Sequence, residues 1–210
     1  MPFFTITGSG AVTVGNNDFA TGAMSLADTA SFTQTGDNGA VSFSQSVASL
    51  STAAGTTCVW DNNNNGGSLR IEGNVDAGAT ISFNLKNVQI GGTVSGSIEV
   101  YDLHIYEYET LTLNPSSSLT VRRSILIDAN GDFDGTAAGA QLIWGGPNSV
   151  TGGTYTDSNT TPVNLDTFIV DSSELKTLLS HLGADSLTIG DTIATTTLLA
   201  GGFPIAVETN

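Results

Sequence analysis

The stretch from Val94 to Gly135 (VSGSIEVYDLHIYEYETLTLNPSSSLTVRRSILIDANGDFDG) constrains the fold more than any other part of this chain. Apolar residues fall two apart, at Ile98/Val100, Leu103/Ile105, Leu111/Leu113, Leu119/Val121 and Ile125/Ile127. Corners rich in Ser, Asn, Asp, Gly and Pro separate the pairs. A period of two turns alternate side chains to one face of a strand, so each pair marks a short β-strand with one buried side. Such strands are too short for hairpins of ordinary length. They satisfy their backbone groups by stacking along an axis or by crossing between two facing sheets.

The same punctuation continues outward. FTITG, AVTVG, FATGAMSLA, SFTQTG and AVSFSQSVASL read as short strands, with turn chemistry at Asn16-Asn17-Asp18 and Gly36-Asp37-Asn38-Gly39 between them. Asp61 to Gly67 (DNNNNGG) is the clearest loop, and it divides an N-terminal β lobe (1–60) from a central β-repeat region (67–156). The remainder (157–210) predicts one short helix plus closing strands, the three regions forming one compact domain. Asp171 as N-cap and Glu174 three residues on make a capping-box-like start. Leu175, Leu178, Leu179 and Leu182 lie at i, i+3, i+4 and i+7, with His181 in the last turn and Gly183 suited to C′. The helix is therefore placed at 172–182. Residues 186–189, 193–199 and 205–207 read as closing strands, the last behind Pro204 at an edge.

The run TLTLNPSSSLTVRRSILIDANGDFDG, Thr110 to Gly135, resembles the rungs of parallel β-solenoid surface proteins such as autotransporter passenger domains and filamentous-haemagglutinin-like adhesins. The preceding NVQIGGTVSGSIEVYDLHI looks like another rung of that kind, and the resemblance covers about residues 67–156. It implies a secreted or surface-exposed stalk or fibre element without catalytic residues. The rival architecture is a β-sandwich or jelly roll, as in capsid and pilus-like subunits, with the helix capping one end. Periodicity leaves both open; the fold class is all-β in either.

Charge narrows the partners. The chain of 210 residues carries 20 acidic and 5 basic side chains, a net charge of −15. Lys86, Lys176, Arg70, Arg122 and Arg123 are too few to track a phosphate backbone, so nucleic acid is excluded as a partner. The same deficit argues against an anionic membrane surface. Only 12% of residues are charged, and polarity comes instead from Thr, Ser, Asn and Gly, which suit a pleated surface with many turns. Cys58 is the single cysteine, so no internal disulfide or thiolate cluster is expected, and it reads as a small buried hydrophobe. No run reaches the ~18 apolar residues of a membrane span. MPFFTITGSG has neither a basic n-region nor a continuous apolar h-region, so no signal peptide is expected there; the alternatives are cytoplasmic assembly or a mature N-terminus.

Two stretches carry candidate chemistry. Asp128, Asn130, Asp132 and Asp134 alternate in the manner of a calcium loop, since a hard cation wants 6–8 oxygens around a tight turn. Phe133 stands where such a loop needs glycine, and a polar turn with side-chain-to-backbone bonds is the alternative; no cofactor is required, and calcium is optional. If Leu103 and Ile105 face a core, His104, Tyr106 and Tyr108 share the outer face, where they suit a subunit interface or a sugar ring. Trp60 and Trp144 read as core or interface anchors. No nucleophile elbow, P-loop, dinucleotide fingerprint or HExxH occurs. The first expectation is a non-enzymatic structural subunit that self-assembles at an extracellular, cell-surface or virion location. The second is a module binding a glycan or host surface. The third is a polysaccharide-cleaving enzyme using Asp128, Asp132 and Asp134 beside Arg122 and Arg123.

Overall fold

The computed structural model describes residues 3–14, 19–27, 31–35, 44–61, 68–85, 87–190 and 196–207. Its strands pair in parallel, and most passes of the chain lay one strand on each of three faces; the pass through Gln141–Gly145 and Gly153–Asp157 meets the first face only at the bridge of Asn164 with Gly183. The second face is the most regular. It stacks Ala11–Val14, Ser31–Thr35, Thr57–Asp61, the ends of Val75–Asn84 and Thr93–Val100, then Ser118–Val121, Gln141–Gly145, Thr167–Asp171 and Ser186–Ile189. The third face is of equal height, running from the start of Phe19–Leu26 through Leu103–Ile105 and Ile125–Ile127 to Leu198–Leu199. The first face begins at Phe4–Ile6 and reaches Asp132–Asp134, with Leu182–Ala184 and Ile205–Val207 pairing at the far end. The molecule is a parallel β-solenoid. The strand alternation expected of a solenoid is therefore the right reading, and the sandwich, which needs antiparallel sheets, is not.

Alternation explains the core. Ser118–Val121 turns Leu119 and Val121 inward, and Leu103–Ile105 turns in Leu103 and Ile105. Stacking brings Phe32, Cys58, Ile81, Ile98, Leu119, Leu142 and Phe168 into one buried column. Each inward Leu, Ile or Phe contributes about 1.5–3 kcal/mol by leaving water. Cys58 is buried as expected, and burial pushes its thiol pKa well up, so it stays protonated and inert. Trp144, Tyr155 and Phe168 form a buried aromatic cluster with ring centroids 6.2–6.4 Å apart. The side chain of Trp60, Lys86, the turns at 16–18 and 36–39 and the Asn-rich loop at 62–67 lie outside the described residues. The ladders nevertheless pass from one side of that loop to the other, and from 156 into 157–210, on one continuous hydrophobic core.

Corners keep the stack in register. The chain bonds coil to coil there too: Arg123 N donates to Tyr101 O at 2.8 Å, and Tyr101 N to Phe83 O at 2.8 Å. Tyr108, Ser116, Asn130 and Asp166 take left-handed backbone at four of these bends (φ between 53° and 64°). Coil length is uneven: Ile81 sits under Ile98, 17 residues on, whereas Phe32 sits under Cys58 and Leu142 under Phe168, each 26 residues on.

The helix expected at 172–182 is a correction: no helix forms among the described residues. The cap-like signal belongs to a turn, in which Ser172 Oγ accepts from Glu174 N at 3.0 Å and donates to Glu174 O at 2.8 Å. The chain then enters the strand Lys176–Leu178, paired with Gly153–Tyr155. The leucines at helical spacing therefore split: Leu178 and Leu182 are buried, whereas Leu175 and Leu179 are about half exposed. Coil stacking overrides the local propensity, which on its own is worth only tenths of a kcal/mol per residue. His181 is accordingly an exposed loop residue that meets Phe203 edge-on at 6.1 Å, and Gly183 lies in a strand.

Candidate functional site

On the third face, inward Leu103, Ile125 and Tyr155 fix the level of their outward neighbours, so His104, Leu126 and Thr156 stack on the surface. Asp102, Ser124 and Thr154 stand one step earlier on the same three coils. Together these residues line an open depression of about 340 Å³. Its floor is tightly bonded. Asp102, 7% exposed, accepts Ser124 N at 3.0 Å and Arg123 Nε at 2.9 Å, and Arg123 Nη2 donates to its second oxygen. The Arg123 guanidinium lies 4.7 Å over the Tyr101 ring. Its hydrogen bonds to Asp102 hold its pKa above the ordinary arginine value. Ser124 Oγ accepts Thr154 N at 3.3 Å.

His104 closes one side of the depression. Its Nε2 lies 2.9 Å from Asp128 Oδ2, and its ring stacks on Tyr106 with centroids 3.8 Å apart. The strand ends at Ile105, however, and Glu109 N donates to Tyr106 O at 3.1 Å to make a turn. Tyr108 therefore leaves that face for a corner, where it is 78% exposed with φ +64°. The structure brings His104 and Tyr106 together and sets Tyr108 apart from them.

The acidic run is divided between two faces. Asp128 follows the third-face strand and faces His104, whereas Asp132 and Asp134 belong to a first-face strand. Asp132 Oδ1 accepts its neighbour Phe133 N at 2.9 Å, and Asp134 Oδ1 accepts Thr136 N and Oγ1 at 3.2 and 2.8 Å. Asn130 N donates to Asn159 Oδ1 at 2.6 Å, and Asn159 Nδ2 donates to Gly131 O at 3.1 Å, tying the bend to the next coil. Among the described residues no three His, Cys, Asp or Glu side chains gather as a cation would require. Arg122 and Arg123 turn elsewhere: Arg122 Nε donates to Asn148 O at 2.8 Å and lies 3.8 Å from Glu99, and Arg123 pairs with Asp102. A second depression, of about 380 Å³, lies by Asp166 and Asp185. Asp166 Oδ2 accepts Gly135 N at 2.7 Å, and burial raises its pKa.

Comparison with family models, with curated proteins and with solved structures finds no match. What this chain does must be argued from its own geometry. Among the described residues no helix is long and apolar enough to cross a membrane.

Sequence reasoning missed two features of this region. The Asp102–Arg123 pair joins residues 21 apart, the same offset that places Ser97 beside Ser118, so the coil length was its only signal. Lys176 is fully buried and takes an inward position on the third face, above Gly153. Its Nζ donates to Arg122 O at 2.7 Å and Val150 O at 3.3 Å and lies 5.7 Å from the Trp144 ring. Burial pushes its pKa down to about 8. A side chain at residue 153 would collide with it, since a Cβ there would meet Lys176 Cδ and Nζ at 2.8 Å.

Proposed function

We propose that this chain is a non-enzymatic structural subunit that repeats in an extracellular or virion-surface assembly, of fibre, capsid or surface-layer type. One observation carries the reading. Of the eight exposed large hydrophobic side chains among the described residues, six (Leu175, Leu179, Ile189, Leu199, Phe203 and Ile205) belong to the last coils. Apolar surface gathered at one end of a rod of stacked strands is what a packing contact requires. The polar groups with chemical potential are used in holding coils together, as the Asp102–Arg123 and His104–Asp128 pairs illustrate. The test is solution mass by light scattering over a concentration series, with and without millimolar calcium. A mass above the 21.5 kDa of one chain that grows with concentration is expected; a monomer in every condition overturns the reading.

A second reading, a glycan- or host-surface-binding module, has its own observation. The His104–Tyr106 stack borders a depression carrying the Ser124, Thr154 and Thr156 hydroxyls, and an aromatic face beside hydroxyls suits a sugar ring. Reproducible binding on a glycan array, lost on Tyr106→Ala, would favour it over the structural role.

A further inference from the structure

We infer that identical chains stack head to tail, the last coil of one on the first coil of the next, so that the parallel ladders continue across the junction. This deepens the structural-subunit reading and rests on it. Three observations converge on a second copy as the occupant of the open end. First, both ends are sections of the same solenoid. The second face opens with Ala11–Val14 and closes with Ser186–Ile189, and the third opens in Phe19–Leu26 and closes with Leu198–Leu199. A copy shifted along the axis in the same orientation is the arrangement that preserves parallel pairing.

Second, the end strands have one neighbour each among the described residues. Ala11–Val14 pairs with Ser31–Gln34, Ser186–Ile189 with Thr167–Val170, and Ile205–Val207 with Leu182–Ala184. Each edge presents backbone donors and acceptors that another strand satisfies. Apolar side chains accompany those edges at both ends: Phe3 at one, and Ile189, Leu199 and Phe203 at the other.

Third, charge favours the ends over the sides. In a chain of net charge −15, residues 3–14 and 196–207 contain no Asp, Glu, Lys, Arg or His. Side-by-side contact sets acidic surface against acidic surface, whereas end contact brings together strands without a charged side chain, Phe4–Ile6 and Ala11–Val14 of one copy and Ser186–Ile189, Leu198–Leu199 and Ile205–Val207 of the other. A head-to-tail contact is heterologous and does not close on itself, so it grows a filament. Nine stacked strands at about 4.8 Å give an axial repeat of about 43 Å.

The experiment blocks each end separately. Ile189→Asp places a charge at the far end, at the inward position beside Val170, and Val12→Asp places one at the near end. Phe3→Asp, at an 84% exposed side chain, is the near-end variant that leaves the coil packing untouched. Circular dichroism checks that each variant keeps its β-structure. Each variant alone is expected at the mass of one chain. An equimolar mixture of a far-end and a near-end variant is expected at twice that mass, because each supplies the intact end the other lacks. Wild-type filaments in the electron microscope should show the ~43 Å repeat. Wild-type oligomers that both end variants leave intact, or a mixture that stays at one chain, overturn head-to-tail stacking and leave the structural-subunit reading standing. A wild-type monomer removes both.

Discussion

Replacing Gly96 by alanine should cost far more than the loss of one glycine's freedom. Gly96 lies at the bend where Thr93–Val100 passes from the first face to the second, with φ +84°, and its N donates to Ser117 Oγ at 3.0 Å. A Cβ at this residue would lie 2.0 Å from Ala77 O and 3.2 Å from Ala77 Cβ, both on the coil beneath. The left-handed backbone alone costs alanine about 1–2 kcal/mol. Forcing one coil away from another adds an overpacking term of about 1–3 kcal/mol, for a total of roughly 2–5 kcal/mol. Gly152 supplies the control: its φ is +72°, and nothing lies within 4 Å of the place a Cβ would take. Gly152→Ala should therefore lose only the backbone term, about 1–2 kcal/mol. Urea unfolding followed by circular dichroism, at a concentration low enough to keep the chains apart, reads both. Equal losses in the two variants would refute the close approach of coils at Ala77 and Gly96.

Tyr155→Phe should stabilise the protein by about 1 kcal/mol, because it removes a buried hydroxyl that makes no hydrogen bond of good geometry among the described residues, with Asp157 its nearest charged neighbour; a loss of stability in thermal unfolding would show that Asp157 holds that hydroxyl. Lys176, whose ordinary pKa of 10.5 is lowered to about 8 in the fold, holds fewer protons folded than unfolded between those values. Wild-type stability should therefore rise relative to Lys176→Met as pH climbs from 8 toward 10. Comparison with the variant is needed, because the raised Cys58 and Tyr155 pKa values pull the other way above about pH 9 and 10; parallel pH profiles for the two proteins would contradict the burial of the Lys176 ammonium. Asp102→Ala should cost about 3–5 kcal/mol in chemical unfolding, since it leaves the Arg123 guanidinium and Ser124 N without their acceptor; a change under 1 kcal/mol would place that pair outside the structural core.

Much of this architecture was legible in the sequence because a strand's period of two survives in segments of three or four residues. Leu103/Ile105, Leu119/Val121 and Ile125/Ile127 all lie inward as their spacing requires. The extent of the solenoid was not legible. Offsets between stacked residues vary from 15 (Val88 and Leu103) to 30 (Ile125 and Tyr155), which shifts the corners against one another, so no fixed offset aligns Phe32 with Cys58 and Ile81 with Ile98 alike. The helix at 172–182 was misread because Leu175, Leu178, Leu179 and Leu182 fit a helical stripe, while the decisive constraint, Gly153–Tyr155 paired with Lys176–Leu178, lies on another coil. The candidate site shows the same division. His104 was placed outward by local alternation, whereas its contact with Asp128 and the Asp102–Arg123 pair depend on coil length.

Stacking in parallel register is the claim on which assembly and site both rest, and a pair of cysteines tests it most directly. Ser97 and Ser118 are register neighbours on the second face, with hydroxyl oxygens 3.0 Å apart. Their strands lie about 4.8 Å apart, inside the 4.4–6.8 Å Cα separation a disulfide spans. The variant Ser97→Cys/Ser118→Cys should oxidise to an intramolecular disulfide without loss of β-structure. The variant Ser97→Cys/Gln141→Cys, two coils and about 9.6 Å apart, should stay reduced. Failure of the first pair to close, or ready closure of the second, would contradict the stacked-coil structure itself.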